Sequence, residues 1–280
     1  MTGRLFVVAT PIGNLSDMVP RALEILQTVN LIAAEDTRRS GQLLRHFNIN
    51  TELTSYHDHS GDDKLGRVLS VLETGGSVAL ISDAGTPLIS DPGYQLVRRA
   101  LAIGCTVSPV PGPCAAIATL SVAGLPSDRF VFEGFLPAKS LQRCKVLKSL
   151  INEQRTLIFY EAPHRIMATV EDLCKIFGGE REAVLGRELT KLFETILTGS
   201  LDELFAKISA DPNQQRGEMV LIVNGYSGAV QSDEEIEQQR VLKVLLGELS
   251  VKQAANLTAR ITGGSKNKLY QRALALSKAD

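Results

Sequence analysis

The chain has 280 residues, 44% hydrophobic and 22% charged, enough apolar material for two medium cores. No uninterrupted apolar run approaches the roughly 20 residues that cross a bilayer, and the N-terminal MTGRLFVVATPIGN lacks a secretory signal region, so a cytoplasmic location is expected. The formal net charge of −1 gives no overall basic coat for nucleic acid, but residues 240–280 hold eight Lys or Arg against two acids, leaving 22 against 29 elsewhere.

From residue 4 to about 106, short apolar runs alternate with amphipathic stretches. RLFVVA precedes a helix over 20–28, NLIAA precedes one over 38–47, and SVALI precedes one over 94–102. This is the βαβ pattern of a parallel sheet. In the helix expected over 62–73, Leu65, Val68, Leu69 and Leu72 recur at helical spacing and form a core-facing stripe.

The texture changes after Val110-Pro111-Gly112-Pro113. Strands are expected near FVFEGF, TLIFY, AVLGREL, FETILTG and EMVLIV with only two or three helices between them, which predicts a mixed sheet. The resulting division is 1–112, 113–228 and a helical tail over 234–280. In the tail, helices are expected near 234–246, 251–261 and 266–276, with Ser250 and Ser265 at N-cap positions and Gly263-Gly264 ending the middle one.

Three strand-to-loop corners combine small and rigid residues: Ala9 to Asn14, Ser82 to Pro87, and Pro111 to Ala115. Each lets backbone groups approach a ligand, and the second sits at a strand's carboxyl end, where open α/β sheets bind ligands. Farther along the second corner, Asp91-Pro92 is expected to cap and start the next helix. No G-x-G-x-x-G follows the first strand and no G-x-x-x-x-G-K-[ST] occurs, which removes the nucleotide-cofactor and P-loop fingerprints. The corners also lack a cation set for phosphate, so a largely uncharged pocket is expected, suited to an adenosine that carries a sulfonium. The four cysteines form no C-x-x-C pair, and His57-Asp58-His59 reads as a solvated loop more readily than as a metal site, so no metal is expected.

Taken together and in order, ATPIGNL, AAEDTR, YHDHS, SDAGTPLISDPG, VPGPCA, FYEAPHR, GRELTKLFE and RGEMVLIV resemble the ribosomal RNA small subunit methyltransferase I family, a branch of the tetrapyrrole-methylase superfamily. The resemblance implies two α/β domains of the tetrapyrrole-methylase type with the cofactor in the cleft between them, plus a small C-terminal helical domain. It further implies an S-adenosylmethionine-dependent 2′-O-methyltransferase acting on a cytidine in the decoding region of 16S rRNA, commonly as a homodimer.

Carried onto this chain, the resemblance places Pro11 and Ile12 beside the cofactor. It assigns Asp83, Ala84, Gly85, Thr86 and Ile89 to the methionine part. Cys114 and Ala115 match a small-residue pair, with Cys114 standing where many members have serine, and Tyr160, Met219 and Val220 enclose the adenosine. A base for the 2′-hydroxyl would come from Glu161, Lys191 or Asp36, with His164 and Glu188 as further candidates. Each of these has an ordinary alternative as a member of a structural ion pair, which for any single one is the preferred reading.

RNA binding needs positive charge near the cleft. Arg38, Arg39, Lys139, Arg143, Arg165 and Arg187 are expected to ring it, although a solvated helix face suits Arg39 and Arg143 as well. Lys266, Lys268 and Arg272 share one tail helix with Tyr270 and form either an RNA clamp or a dimer contact. Two rival functions fit the same residues. One is C-methylation of a tetrapyrrole precursor, in which a basic tail has no obvious role; the other is a ligand-sensing regulator whose tail is a helix-turn-helix.

Overall fold

The computed structural model describes residues 3–57, 62–228 and 233–276. It contains two compact units, divided after Tyr226. The first holds both sheets and the second is the helical tail.

The leading half comprises β1 (Arg4–Val8), α1 (Pro20–Thr28), β2 (Leu31–Ala34), α2 (Thr37–His46), β3 (Leu53–Ser55), α3 (Asp62–Glu73), β4 (Ser77–Ile81), α4 (Tyr94–Ala102) and β5 (Thr106–Val110). Its strands form one parallel sheet in the order β3-β2-β4-β1-β5. Successive side chains on a strand point to opposite faces, and β4 shows the consequence. Val78 and Leu80 pack with Leu72 of α3 and Leu96 of α4, while Ala79 and Ile81 pack with Leu26 of α1 and Leu44 of α2. Both faces are covered, so the strand is apolar throughout.

Two strands escape the apolar pattern. β3 is a three-residue edge strand, and β5, at the other edge, carries Pro109 and exposes much of its length. An edge strand needs neither a continuous apolar run nor every N–H.

The second half adds α5 (Ala115–Val122), β6 (Phe130–Phe135), α6 (Ser140–Ser149), β7 (Thr156–Glu161), α7 (Ile166–Phe177), β8 (Glu182–Arg187), β9 (Thr195–Ser200), α8 (Leu201–Ala210) and β10 (Met219–Val223). These strands form a mixed sheet in the order β6-β7-β10-β8-β9, in which only β6 and β7 run parallel. Leu157, Phe159, Leu185 and Leu221 face α6, α7 and α8, whereas Ile158, Val184, Val220 and Ile222 face α5.

Arg143 departs from the sequence expectation of either a cleft cation or a solvated helix residue. It is 2% exposed, and its guanidinium lies 2.7 Å from the Asp172 carboxylate, joining α6 to α7. Further N–H groups donate to the carbonyls of Pro137, Ala138 and Ala168. The Asp172 carboxylate also accepts from Ser140 Oγ, so the buried charge is fully partnered.

The tail consists of α9 (Asp233–Leu246), α10 (Val251–Thr262) and α11 (Lys266–Leu276) around Leu242, Ala254, Ala255, Leu269 and Ala273. Ser250 is the N-cap of α10, and Gly263 ends it in the left-handed region at φ 73°, donating to the Ala259 carbonyl at 3.0 Å. Among the described residues, no helix is long and apolar enough to cross a membrane.

Removing one partner of the Arg143–Asp172 pair leaves an uncompensated buried charge. Arg143→Ala should therefore lower unfolding free energy by about 3–5 kcal/mol, read from urea denaturation, and an Arg143→Met, Asp172→Leu double variant should recover most of the loss.

Candidate active site

Strand order decides which loops meet. Because β2, β4, β1 and β5 are neighbours in a parallel sheet, the segments after them lie side by side at the carboxyl edge: Glu35-Asp36, Ser82 to Thr86, Ala9 to Ile12, and Pro111 to Cys114. The corners are tied together through their backbones. Thr10 N–H donates to the Gly85 carbonyl at 2.9 Å, and Gly85 N–H returns the bond to Thr10 at 3.0 Å. Thr10 Oγ1 donates to the Ser82 carbonyl, and Thr86 Oγ1 donates to the Pro113 carbonyl at 3.0 Å, which binds the third corner. Gly85 has φ 84°, a conformation that favours glycine, and a Cβ there would stand in ordinary contact with Ile12 at 3.4 Å.

The second sheet supplies the facing wall. Antiparallel register puts Met219 opposite Glu161 and Val220 opposite Tyr160, while parallel pairing puts Phe135 at the level of Tyr160. The Tyr160 hydroxyl accepts from Ala116 N–H at the start of α5, and burial raises its pKa, so it stays protonated. The cavity between the walls measures about 450 Å³, within the range of small-molecule sites.

Of the residues expected at the cofactor, Ile12, Asp83, Ala84, Gly85, Thr86, Ile89, Ala115, Tyr160, Met219 and Val220 all line this cavity. Pro11 is buried beside it, and Cys114 is the N-cap of α5; neither is among the lining residues.

The lining is more acidic than the sequence suggests. Glu35, Asp83 and Asp91 reach it, with Arg39 as the cation at hand, 3.3 Å from Asp83. Burial first and then the Asp83 charge push the Glu35 carboxyl up. Asp91 is raised to about 6 by burial, against a hydrogen bond with the Ser82 side chain that lowers it, with Glu35 and Asp83 adding to the rise. Such a field favours a bound cation.

The three main candidates for a base already have other partners. Asp36 is the N-cap of α2, and the Arg38 backbone N–H at 2.8 Å holds its carboxyl low. Glu161 is 2% exposed; one oxygen receives Ala162 N–H and the Arg165 guanidinium, the other the Thr169 hydroxyl at 2.6 Å. Lys191 bridges Glu188 at 2.7 Å and Glu218 at 2.9 Å, and although burial opposes its charge, these two carboxylates keep it protonated, without a lone pair for a proton. His164 is exposed in the short turn before α7.

The expected cations divide. Arg38 and Lys139 are exposed, Arg39 lines the cavity, and Arg165 is held against Glu161. Arg187 does not ring the cleft. It is 8% exposed, and its guanidinium donates to the Phe193 carbonyl, Thr195 Oγ1 and Gln214, which secures the loop between β8 and β9. In the tail, Lys266, Lys268 and Tyr270 are exposed on α11, whereas Arg272 pairs with Glu235 at 2.9 Å. All four cysteines are free, and no group of metal ligands forms among the described residues. Asp58 and His59 of the histidine pair lie outside those residues.

Sequence reasoning missed Glu35, Asp91 and Phe135 as lining residues. Asp91 was expected to cap α4, but Gly93 occupies the N-cap. The signal that turns Asp91 away is the left-handed backbone at Leu88 (φ 73°) and Ser90 (φ 64°), residue types that give no warning of it in sequence.

Comparison with known proteins adds the family. Residues 4–204 match the model for Tetrapyrrole (Corrin/Porphyrin) Methylases, and residues 232–277 match that for the RsmI C-terminal HTH domain. A ribosomal RNA small subunit methyltransferase I of Pseudomonas aeruginosa is 58% identical over 97% of this chain and 97% of its own length. One from Escherichia coli O157:H7 is 53% identical over 97% and 95%. Among solved structures, a uroporphyrin-III-C-methyltransferase from Thermus thermophilus superposes with a TM-score of 0.56 at 18% identity, covering 79% of this chain and 94% of that one, a likeness of fold alone. With both halves of its architecture matched and near-complete relatives above half identity, the chain belongs to the ribosomal RNA small subunit methyltransferase I family.

Proposed function

We propose that this chain transfers a methyl group from S-adenosylmethionine to the ribose 2′-oxygen of a cytidine in the decoding region of 16S rRNA. The near-full-length likeness to curated proteins called ribosomal RNA small subunit methyltransferase I supports the reading, and the cavity supplies its chemical counterpart. The site fits the donor: glycine at φ 84° leaves room beside Ile12, the walls offer backbone and apolar side chains, and the uncompensated acids suit a sulfonium. Ile12, Gly85, Thr86 and Ile89 would hold the methionine side, and Ala115, Tyr160, Met219 and Val220 the adenosine.

When bound, S-adenosylmethionine supplies a methyl made electrophilic by positive sulfur. The chain's own contribution is chiefly positional: a rigid backbone corner and a fixed facing wall limit the approach of the sugar oxygen to one direction. Glu35 and Asp83 favour the cationic ground state. Arg38 and Lys139 on the first unit, with Lys266 and Lys268 on the tail, supply phosphate contacts, and the working form is a cytoplasmic homodimer.

The helix-turn-helix match favours one second reading, a DNA-binding regulator that uses the cavity as a sensor. Filter binding separates the two: rRNA retained in preference to duplex DNA supports the enzyme, and the reverse supports the regulator.

Incubated with labelled donor and undermethylated small subunits, the protein should place label on a ribose 2′-oxygen; label on a base overturns the 2′-O assignment. Gly85→Val combines a branched side chain with a left-handed backbone, a strain of about 1–3 kcal/mol. Calorimetry should therefore show donor affinity reduced by about tenfold or more, with far-UV circular dichroism unchanged. A Lys266→Glu, Lys268→Glu variant should methylate subunits poorly and lose about two units of salt slope, while binding donor normally.

A further inference from the structure

Seven residues, Glu188 to Glu194, join β8 to β9, whose pairing closes at Arg187 opposite Thr195. Glu188 (φ 51°) and Thr190 (φ 65°) adopt the left-handed region without being glycine, and the Thr190 hydroxyl is buried with no hydrogen-bond partner. Both features cost free energy. The surroundings hold the loop against that cost. Arg187 donates to the Phe193 carbonyl at 2.9 Å, Glu194 accepts from Thr190 N–H at 2.6 Å, and Lys191 reaches both Glu188 and Glu218. From the other side the first corner presses close, since a Cβ on Gly13 would collide with Lys191 Cγ and stand 3.0 Å from the Leu189 carbonyl oxygen.

A loop fastened this firmly presents two large apolar side chains to solvent: Leu192 is 89% exposed and Phe193 67%. Apolar residues scattered singly over a surface are ordinary. These two are adjacent, at the tip of a strained and clamped loop. Strain maintained by surrounding structure gathers at functional segments, and a rigid tip meets a ligand at little ordering cost.

The tip stands beside the cavity and beside a cation. Leu189, three residues before Leu192, lines the cavity, as do Gly217 and Glu218. The Arg187 guanidinium that holds the Phe193 carbonyl also lies 3.5 Å from the Arg216 carbonyl, so it brings the two backbones together, and Arg216 is exposed. An aromatic ring next to an arginine suits an unstacked nucleotide, the ring taking a base face and the arginine a phosphate. The cavity itself, with Glu35, Asp83 and Asp91, disfavours phosphate. Stacking carries no such penalty, which makes a base the better handle at this rim.

Resting on the ribose-methylation reading above, we propose that the Leu192-Phe193 tip is an RNA-binding element: the Phe193 ring stacks on the base of a nucleotide flanking the target, Leu192 packs beside it, and Arg216 meets the adjoining phosphate. A 2′-hydroxyl reaches the cavity only when its nucleotide leaves the stack of its neighbours. Phe193 replaces the stacking that the flanking base then loses.

The test uses the full chain, labelled S-adenosylmethionine and undermethylated small ribosomal subunits, with rate followed against subunit concentration and donor affinity read by calorimetry. Phe193→Ala should raise the half-saturating subunit concentration about tenfold and leave donor affinity as it is. Phe193→Trp, which keeps an aromatic face, should stay within about threefold of the parent. Phe193→Leu keeps apolar bulk without that face and should behave as Phe193→Ala does. Arg216→Ala should lower the salt slope of subunit binding by about one unit. The proposal is overturned by Phe193→Ala at parental half-saturation, by Arg216→Ala at parental salt slope, or by Phe193→Leu equal to the parent, which makes the tip a plain apolar contact. It is also overturned if light scattering shows a smaller assembly for Phe193→Ala, which makes the tip a contact between copies of this chain, or if donor affinity falls together with subunit affinity. A parent that retains subunits on a filter through Phe193 yet labels no ribose is a different failure: it removes the methylation reading and leaves the tip as an RNA contact.

Discussion

Two reciprocal hydrogen bonds between Thr10 and Gly85 hold this site together. They join the end of β1 to the end of β4 beyond the last ladder pair, Val8 with Ile81, and so continue the sheet's connectivity into what would otherwise be two separate loops. Thr10 is fully buried, and its hydroxyl finds the Ser82 carbonyl, which leaves no polar group of the side chain without a partner. The Thr86 bond to Pro113 extends the same fastening to the loop after β5. One wall of the cavity is therefore largely backbone, with its geometry set before any ligand arrives, and such preorganisation reduces the ordering cost of binding.

The facing wall depends on a different device. β10 is hydrogen-bonded on both sides, to β7 and β8, and every one of its five residues is buried. Its first two residues, Met219 and Val220, meet the cavity with little freedom to move. Below them Lys191 draws Glu188 and Glu218 together across the β8 and β10 ends, and Arg187 fixes the outgoing loop. These charged groups look catalytic in a list of residues, but in three dimensions they neutralise one another. The acids left without such partners, Glu35 and Asp91, bring the unbalanced negative field into the cavity.

The two compact units distribute charge and chemistry separately. The first concentrates the acidic cavity. The second carries exposed Lys266 and Lys268 on a helix whose other face is anchored by Leu269 and Ala273. A polyanion meets attraction on the tail and, at the cavity, a field that favours cations instead.

The sequence by itself determined the strands, most helices and the glycine corners, because a doubly covered strand such as Ser77–Ile81 must be apolar at every position and a tight turn at Gly85 admits little else. The ordered motifs also carried the family, since their succession along the chain survives without coordinates. Tertiary structure alone decided which titratable groups are engaged. Asp172 lies 29 residues from Arg143, Asp83 lies 44 from Arg39 and Glu218 lies 27 from Lys191, distances at which local pattern is silent. It also decided that Asp91 enters the cavity while Gly93 starts α4, since positive φ at Leu88 and Ser90 is imposed by the packed environment and not by their own preferences. The physical reason is range: burial periodicity and turn chemistry act over a few residues, whereas charge pairing and cavity lining are set by strand order, which brings together ends of the chain far apart in sequence.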